Sequence, residues 1–263
     1  MSGEPVPAAE AFLKGLAPQT IGRPLYVFGV VESTNDTARA LAEQGATEGT
    51  VVLAGEQRAG RGRLGRAWAS PPGGLWLSVV LRPRRPPHEW SRFAFATSVA
   101  VASALERTLA VPVRVKWPND LMLSGRKLGG VLVEAAGAVA IVGIGLNANV
   151  RLSALPPSLR AVATSLEEWL GHAVDLVSVT QEILRQLDVA YRLALEAPEE
   201  VMAQWRGRSI TLGRRVQVRG VTTAFEGVAE TIDEDGALLV RTASGLQRVV
   251  ASDVSVRATE AGR

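Results

Sequence analysis

The chain has 263 residues, 47% of them apolar, enough for a full-sized core with room for a small second unit. It contains no cysteine, which excludes disulfides, thiolate nucleophiles, zinc fingers and iron–sulfur clusters, and its two histidines, His88 and His172, are too few for a His-rich metal site. The net charge is only +3, so no general attraction to nucleic acid follows; yet of 29 basic residues only Lys14, Lys116 and Lys127 are lysine, which makes each of them conspicuous.

No basic segment followed by a long apolar run opens the sequence, and no uncharged apolar stretch approaches the ~20 residues that span a bilayer, so a soluble, cytoplasmic protein is expected. Residues 8–16 predict a short apolar helix closed by Pro18. A helix-turn-helix DNA-binding unit of roughly 60 residues does not fit ahead of Leu25. Residues 25–31, LYVFGVV, read as a buried strand. Four residues of helix-cap type follow, Ser33 to Asp36, then a helical stretch at 37–44 and the stop signal Gly45. Residues 50–57 predict a second strand, and 59–74 is too rich in Gly and Arg for a packed element. A third strand occupies 75–83, and 90–110 carries small and apolar residues at helical spacing. Residues 113–120 and 127–135 read as the arms of one hairpin-like unit turning at Ser124-Gly125, and 139–150 as a strand in which Gly143 and Gly145 mark close backbone approach. Helical segments at 163–171, 176–197 and 199–206 come next. Beyond Gly207 short β-rich pieces predict a small barrel.

Chemistry concentrates in three places. In Gly60-Arg61-Gly62-Arg63-Leu64-Gly65-Arg66, alternate glycines leave the backbone free to wrap an anion and the guanidiniums supply permanently charged donors. Such a loop is expected to be mobile when empty, because its arginines repel one another; a solvated basic loop or a nucleic-acid segment would look the same. It is not a P-loop. The second place is Lys116-Trp117-Pro118-Asn119-Asp120 with Lys127 seven residues on. A lysine inside an apolar strand needs an anion, either a ligand or a structural partner such as Asp120 or Glu134. The third is Asn147 and Asn149, amides at a strand end, suited to a heterocycle's edge or to capping a turn.

STN at 33–35, EQRAGRGRLGRAW at 56–68, KWPNDL with KLGGVLVE at 116–134 and GIGLNAN at 143–149 together resemble the biotin–protein ligases, in that family's order. With the barrel included the resemblance spans residues 25–257. It implies a two-step reaction: biotin's carboxylate attacks the α-phosphate of ATP to give biotinyl-5′-AMP, and a lysine of a biotin carboxyl carrier protein then takes the biotinyl group. Carried over by position, Ser33, Thr34, Asn35 and Gln57 would bind the ureido ring. Arg61, Gly62 and Arg63 would close on biotin and adenylate, with Arg63, Arg66 and Asn119 on the nucleotide. Lys127 would hold the biotin carboxylate against the α-phosphate, Trp68 would stack on adenine and Asn147 would bond to it. Asp120 would orient and deprotonate the incoming amine, so Lys127, Arg63 and Asp120 are the catalytic candidates; Lys116 is a lesser phosphate or carboxylate partner. Some members carry arginine where this chain has Leu64.

The pattern of elements predicts an α+β fold. To this the resemblance adds a class II aminoacyl-tRNA-synthetase-like catalytic fold at 25–206, after an extension at 1–24, and an SH3-like β-barrel at 207–263. Biotin and ATP enter as substrates, with Mg²⁺ expected from ATP and no metal ligand assigned. The implied partner is the carrier protein, with no DNA or membrane, and one sheet edge would serve either homodimerisation or carrier docking. Two other readings are a lipoate– or octanoate–protein ligase of the same fold and a non-enzymatic Arg-rich nucleic-acid-binding protein; against the latter, only Trp68 lies near the basic loop.

Overall fold

A seven-stranded mixed sheet organises the computed structural model, which describes residues 7–17, 20–220, 224–251 and 254–258. In chain order its elements are α1 (Ala9–Leu13), β1 (Leu25–Val31), α2 (Thr34–Glu43), β2 (Val51–Gln57), β3 (Leu75–Leu81), α3 (Ser91–Leu109), β4 (Arg114–Lys116), β5 (Asp120–Leu123), β6 (Arg126–Ala136) and β7 (Val139–Leu146). Then come α4 (Pro157–Arg160), α5 (Leu166–Leu170), α6 (Leu176–Glu196) and α7 (Pro198–Arg208). The strand order is β1-β2-β3-β7-β6-β5-β4. β1 and β2 are parallel, joined by α2, and the other neighbours are antiparallel. This is the expected α+β arrangement.

Strand alternation sorts the two faces. Leu75, Leu77, Val79 and Leu81 of β3 and Ala140, Val142, Ile144 and Leu146 of β7 join α3, α6 and α7 in the main core. On the opposite face Val52, Val80, Val139 and Ile141 pack against Ala38, Leu41 and Ala42 of the short α2, with Phe28 and Ala136 beside them. Further along that face Trp76 packs with Val150, Leu155 and Ala163, and the site lies between this cluster and the first turn of α2. Phe12 and Leu16, from the N-terminal segment, share the main core.

Several local expectations change. α2 starts at Thr34, three residues early, because Ser33 alone takes the extended N-cap conformation (φ −153°). Residues 113–120 are not one strand: Trp117 to Asn119 turn the chain, so β4, β5 and β6 form two successive hairpins. Pro198 opens α7 at its first turn, where its missing N–H is harmless, and α7 runs across the expected division at 206/207 to Arg208.

β8 (Arg215–Gly220), β9 (Ala224–Ile232), β10 (Leu238–Thr242), β11 (Gly245–Val249) and β12 (Val254–Ala258) form a separate antiparallel sheet of order β11-β10-β9-β8-β12. It docks on α3 and the β4–β5 turn. Trp117 donates its indole N–H to Gly236 O at 3.0 Å and its backbone N–H to Thr211 Oγ1 at 2.9 Å.

Candidate active site

Glycine opens the floor of the site. Cross-strand register aligns Ser78, Gly143 and Leu132 in one row and Trp76, Gly145, Gly130 and Asp120 in the next. A Cβ on Gly143 would lie 2.4 Å from Asn35 Oδ1, and one on Gly145 2.6 Å from Trp68 Nε1. Only the absence of side chains lets the first turn of α2 and the Trp68 indole lie against the sheet.

At one end, Ser33, Thr34 and Asn35 are buried at 3%, 3% and 4% exposure, and their polar groups are ordered by neighbours. Gln57 Oε1 accepts from Thr34 N at 2.8 Å and Thr34 Oγ1 at 3.0 Å, while Gln57 Nε2 donates to Ser70 Oγ at 2.8 Å. Ser78 Oγ lies 2.6 Å from Asn35 Oδ1 and 2.7 Å from Thr34 Oγ1. The result is a neutral recess of hydroxyls and amides with fixed donor and acceptor directions.

The Gly-Arg loop is folded, not an open coil. Gly62 N donates to Arg66 O at 2.7 Å and Trp68 N to Gly60 O at 2.9 Å. Gly60 is the sterically required glycine, since a Cβ there would meet Ser70 Oγ and Trp68 O, each at 2.6 Å; at Gly62 the nearest atom would be Arg66 O at 3.5 Å. Repulsion among the arginines is relieved because Arg61 makes two 2.6 Å bonds to Asp36. That pairing holds the Asp36 carboxyl below its usual range and Arg61 above its own. Arg63 instead reaches Asn119 Oδ1 at 3.4 Å and the Ala251 carbonyl just beyond β11 of the C-terminal sheet. Burial pushes the Arg63 guanidinium down, against the attraction of Asp120.

Lys127 Nζ lies 2.5 Å from Asp120 Oδ1 and 5.1 Å from the centre of the Trp68 ring. Of the two acids considered as its partner it takes Asp120; Glu134 pairs with Arg39 and Arg61 instead. The Lys127 backbone brackets the 162–164 segment, donating to Val162 O and accepting from Thr164 N. Asn147 Nδ2 donates to Thr164 O at 3.0 Å. Asn149 braces Val174 through both ends of its amide, the turn-capping alternative.

One cavity of about 340 Å³ gathers these groups. Ser33, Thr34, Asn35, Gln57, Arg61, Gly62, Arg63, Arg66, Trp68, Asn119, Asp120, Lys127 and Asn147 line it, as does Lys116, and Asn149 is not among its lining residues. Neither histidine is among its lining residues. Sequence reading missed Ser70, Ser78, Asp36 and Glu134 as the groups that orient this lining. Ser78, the one polar side chain in LWLSVVL, carried a readable signal; Ser70 carried none. The Trp68 indole N–H is buried without a partner among the described residues. Such an orphan costs about 1–3 kcal/mol, consistent with a surface shaped for a ligand.

Among the described residues no cluster of three or more acidic or histidine side chains is arranged to hold a metal. Asp120, Asp36 and Glu134, the acids around the cavity, are each engaged by a basic side chain.

Comparison with known proteins agrees with this geometry. Residues 27–149 match the model of the biotin/lipoate A/B protein ligase family, and residues 211–257 that of the biotin protein ligase C-terminal domain. The chain is 34% identical over 254 residues to a biotin–[acetyl-CoA-carboxylase] ligase of Mycobacterium tuberculosis, covering 92% of this chain and 94% of that protein. It is 33% identical over 236 residues to the ligase of the same name from Paracoccus denitrificans, covering 85% and 96%. Among solved structures, the biotin protein ligase from Aquifex aeolicus in complex with biotin and ATP superposes with a TM-score of 0.82 at 29% identity, covering 90% of this chain and all of that one. Floor, recess, loop and relatives agree, and the chain belongs to the biotin protein ligase family.

Proposed function

We propose that this chain is an ATP-dependent ligase that activates biotin as biotinyl-5′-AMP and transfers the biotinyl group to a lysine of a biotin carboxyl carrier protein. The observation that carries the reading is the polarity of the cavity: a neutral hydroxyl–amide recess at one end and Lys127 with Trp68 at the other. A cyclic urea needs fixed neutral donors and acceptors, and a carboxylate meeting a phosphate needs a cation between them. The match to a biotin-specific C-terminal domain model favours biotin over lipoate or octanoate.

Ser33, Thr34, Asn35 and Gln57 hold the ureido ring, placing the valeryl carboxylate toward Lys127. Lys127 leaves Asp120 to bridge that carboxylate and the α-phosphate, screening two anions that repel. The carboxylate oxygen attacks the α-phosphorus, and the bond to the β-phosphate oxygen breaks, releasing pyrophosphate. Arg63 exchanges its bonds to Asn119 and Ala251 for phosphate oxygens, Arg66 approaches from the exposed side of the loop, and Trp68 and Asn147 receive the adenine. With Lys127 on the adenylate, Asp120 is free to take a proton from the carrier's ammonium group; the neutral amine attacks the acyl carbon and AMP departs. Mg²⁺ bound with ATP would neutralise phosphate charge, and since the acids around the cavity are each engaged by a basic side chain, none is assigned to hold it.

The deciding experiment incubates the protein with Mg-ATP, a carrier domain and biotin, lipoate or octanoate, and reads product mass. Addition of one biotinyl group, with little or no lipoyl or octanoyl product, is expected. Addition of lipoate or octanoate in preference to biotin would replace this reading.

A further inference from the structure

Outside the cavity wall lies a group with no part in the chemistry above. Glu134 follows the site row along β6: it pairs with Ile141, while Leu132 pairs with Gly143 at the floor. Its carboxylate faces three partners, two from α2 and one from the Gly-Arg loop. Glu134 Oε2 accepts from Asn35 Nδ2 at 2.7 Å and lies 3.4 Å from Arg39 NH2 and 3.5 Å from Arg61 NH2. The first partner belongs to the recess and the last to the Gly-Arg loop.

We infer that Glu134 is a positioning residue with two separable functions: it fixes the orientation of the Asn35 amide in the biotin recess, and together with Asp36 it anchors the root of the Gly-Arg loop through Arg61. The inference rests on the biotin reading for its first function only.

An amide side chain has two orientations of nearly equal shape, and its neighbours choose between them. Asn35 has a hydroxyl, Ser78, on its oxygen side and an ionised acceptor, Glu134, on its nitrogen side. A carboxylate accepts and cannot donate, so it forces the Asn35 nitrogen outward and the oxygen inward over Gly143. Ser78 alone would not, because a hydroxyl both donates and accepts. Glu134 therefore sets which atom the recess presents to a ligand.

The loop function depends on charge. Arg61 is clamped by the two oxygens of Asp36, and Glu134 adds a second anion on the same guanidinium. Arg39 lies 3.4 Å from each of these acids, so two arginines and two carboxylates alternate around one cluster. Isolated exposed ion pairs contribute little, but a bidentate pair within a network is the favourable case. A loop rooted in this way keeps Arg63 and Trp68 over the cavity, and its closure is tied to the same carboxylate that orients the recess.

Glu134→Gln separates the two functions because Arg39 and Arg61, which only donate, hold its amide oxygen at the Oε2 position, where it still accepts from Asn35, while its charge is gone. Glu134→Ala removes both. The readouts are the rate of tryptic cleavage at residues 61–66 in the ligand-free protein, located by peptide mass, and the dissociation constant for biotin without ATP. In Glu134→Gln, cleavage rises about tenfold while biotin affinity stays within about twofold of the parent; in Glu134→Ala, cleavage rises similarly and biotin affinity falls about tenfold. Parental cleavage in both variants overturns the anchor, and parental biotin affinity in Glu134→Ala, or equal losses in both variants, overturns the orienting function. If Glu134→Ala does not fold, Glu134→Gln alone decides the anchor. The orienting function is then read from Glu134→Met, which keeps the side-chain length without an acceptor and is expected to lower biotin affinity about tenfold; parental affinity overturns it. If the unmodified protein does not bind biotin, the proposed function fails while the cleavage result still stands or falls by itself.

Discussion

Lys127 and Asp120 neutralise one another across the β5–β6 hairpin, with Nζ 2.5 Å from Oδ1, so each charge assigned to the reaction is held by the other before substrate arrives. Their register explains the pairing: Asp120 stands opposite Gly130 on β6, and Lys127, three residues before it on that strand, reaches back to the carboxylate. The two residues should therefore fail at different steps. Lys127→Ala is expected to lower adenylate formation about 100-fold or more with the fold retained, read as pyrophosphate release. Asp120→Asn should slow transfer from preformed adenylate far more than it slows adenylation, and the two half-reactions measured separately will show this.

Gly143 and Gly145 act by being empty. Gly143→Ala should push Asn35 off the sheet and weaken biotin binding about tenfold, while Gly145→Ala displaces the Trp68 indole and weakens ATP binding instead. Titration calorimetry with each ligand separates the two; equal effects on both ligands would contradict the division of the cavity.

Within the loop, Gly60→Ala should disrupt the fold of residues 60–68 and Gly62→Ser should not, since only the former has backbone and hydroxyl oxygens within 2.6 Å of the new Cβ. The two variants compared for adenylate dissociation rate check this. Repetitive appearance of Gly in the motif gives no means of ranking these positions; the neighbours do.

Arg63→Gly should release biotinyl-AMP early, because the guanidinium that would cover the phosphate is lost. The expected signs are faster adenylate dissociation and biotinylation of bystander proteins by the free mixed anhydride.

The Asp36–Arg61 pair gives a pH dependence of known sign. Asp36 is held below its ordinary value of 3.8 when folded, so its contribution to stability is fully present above that value and is lost as the pH falls through the lower folded one. Asp36→Asn should therefore flatten the acid limb of the urea midpoint plotted against pH, with the difference from the parent vanishing at the most acidic end.

Much of the site was legible because its chemistry is local. The run Ser33-Thr34-Asn35, the Gly-Arg loop and the Lys116–Asp120 turn are each contiguous, and a polar or Gly-rich interruption of an apolar strand is a signal that survives without coordinates. The orienting groups were not legible in this way. Ser70, Ser78 and Glu134 act on residues 13, 43 and 99 positions away, across a parallel crossover and several antiparallel strands. Local boundaries shifted where one signal was divided among several residues: four cap-type residues stand at the start of α2, and the extended backbone of Ser33 makes it the N-cap with the other three inside the helix.

Composition and spacing by themselves determined that this protein works without thiols, that its cations of interest are a Gly-Arg loop and one strand lysine, and that strands and helices follow in α+β order. Tertiary structure alone decided which charges meet. Lys127 could have met Asp120 or Glu134 as far as the sequence shows; the β5–β6 register gave it Asp120, while Glu134 meets Arg39 and Arg61 instead. Arg61 was free in sequence to reach a phosphate, but the first turn of α2 sets Asp36 under its guanidinium. Ion pairing depends on a few ångströms of separation, and those distances come from sheet register and helix placement.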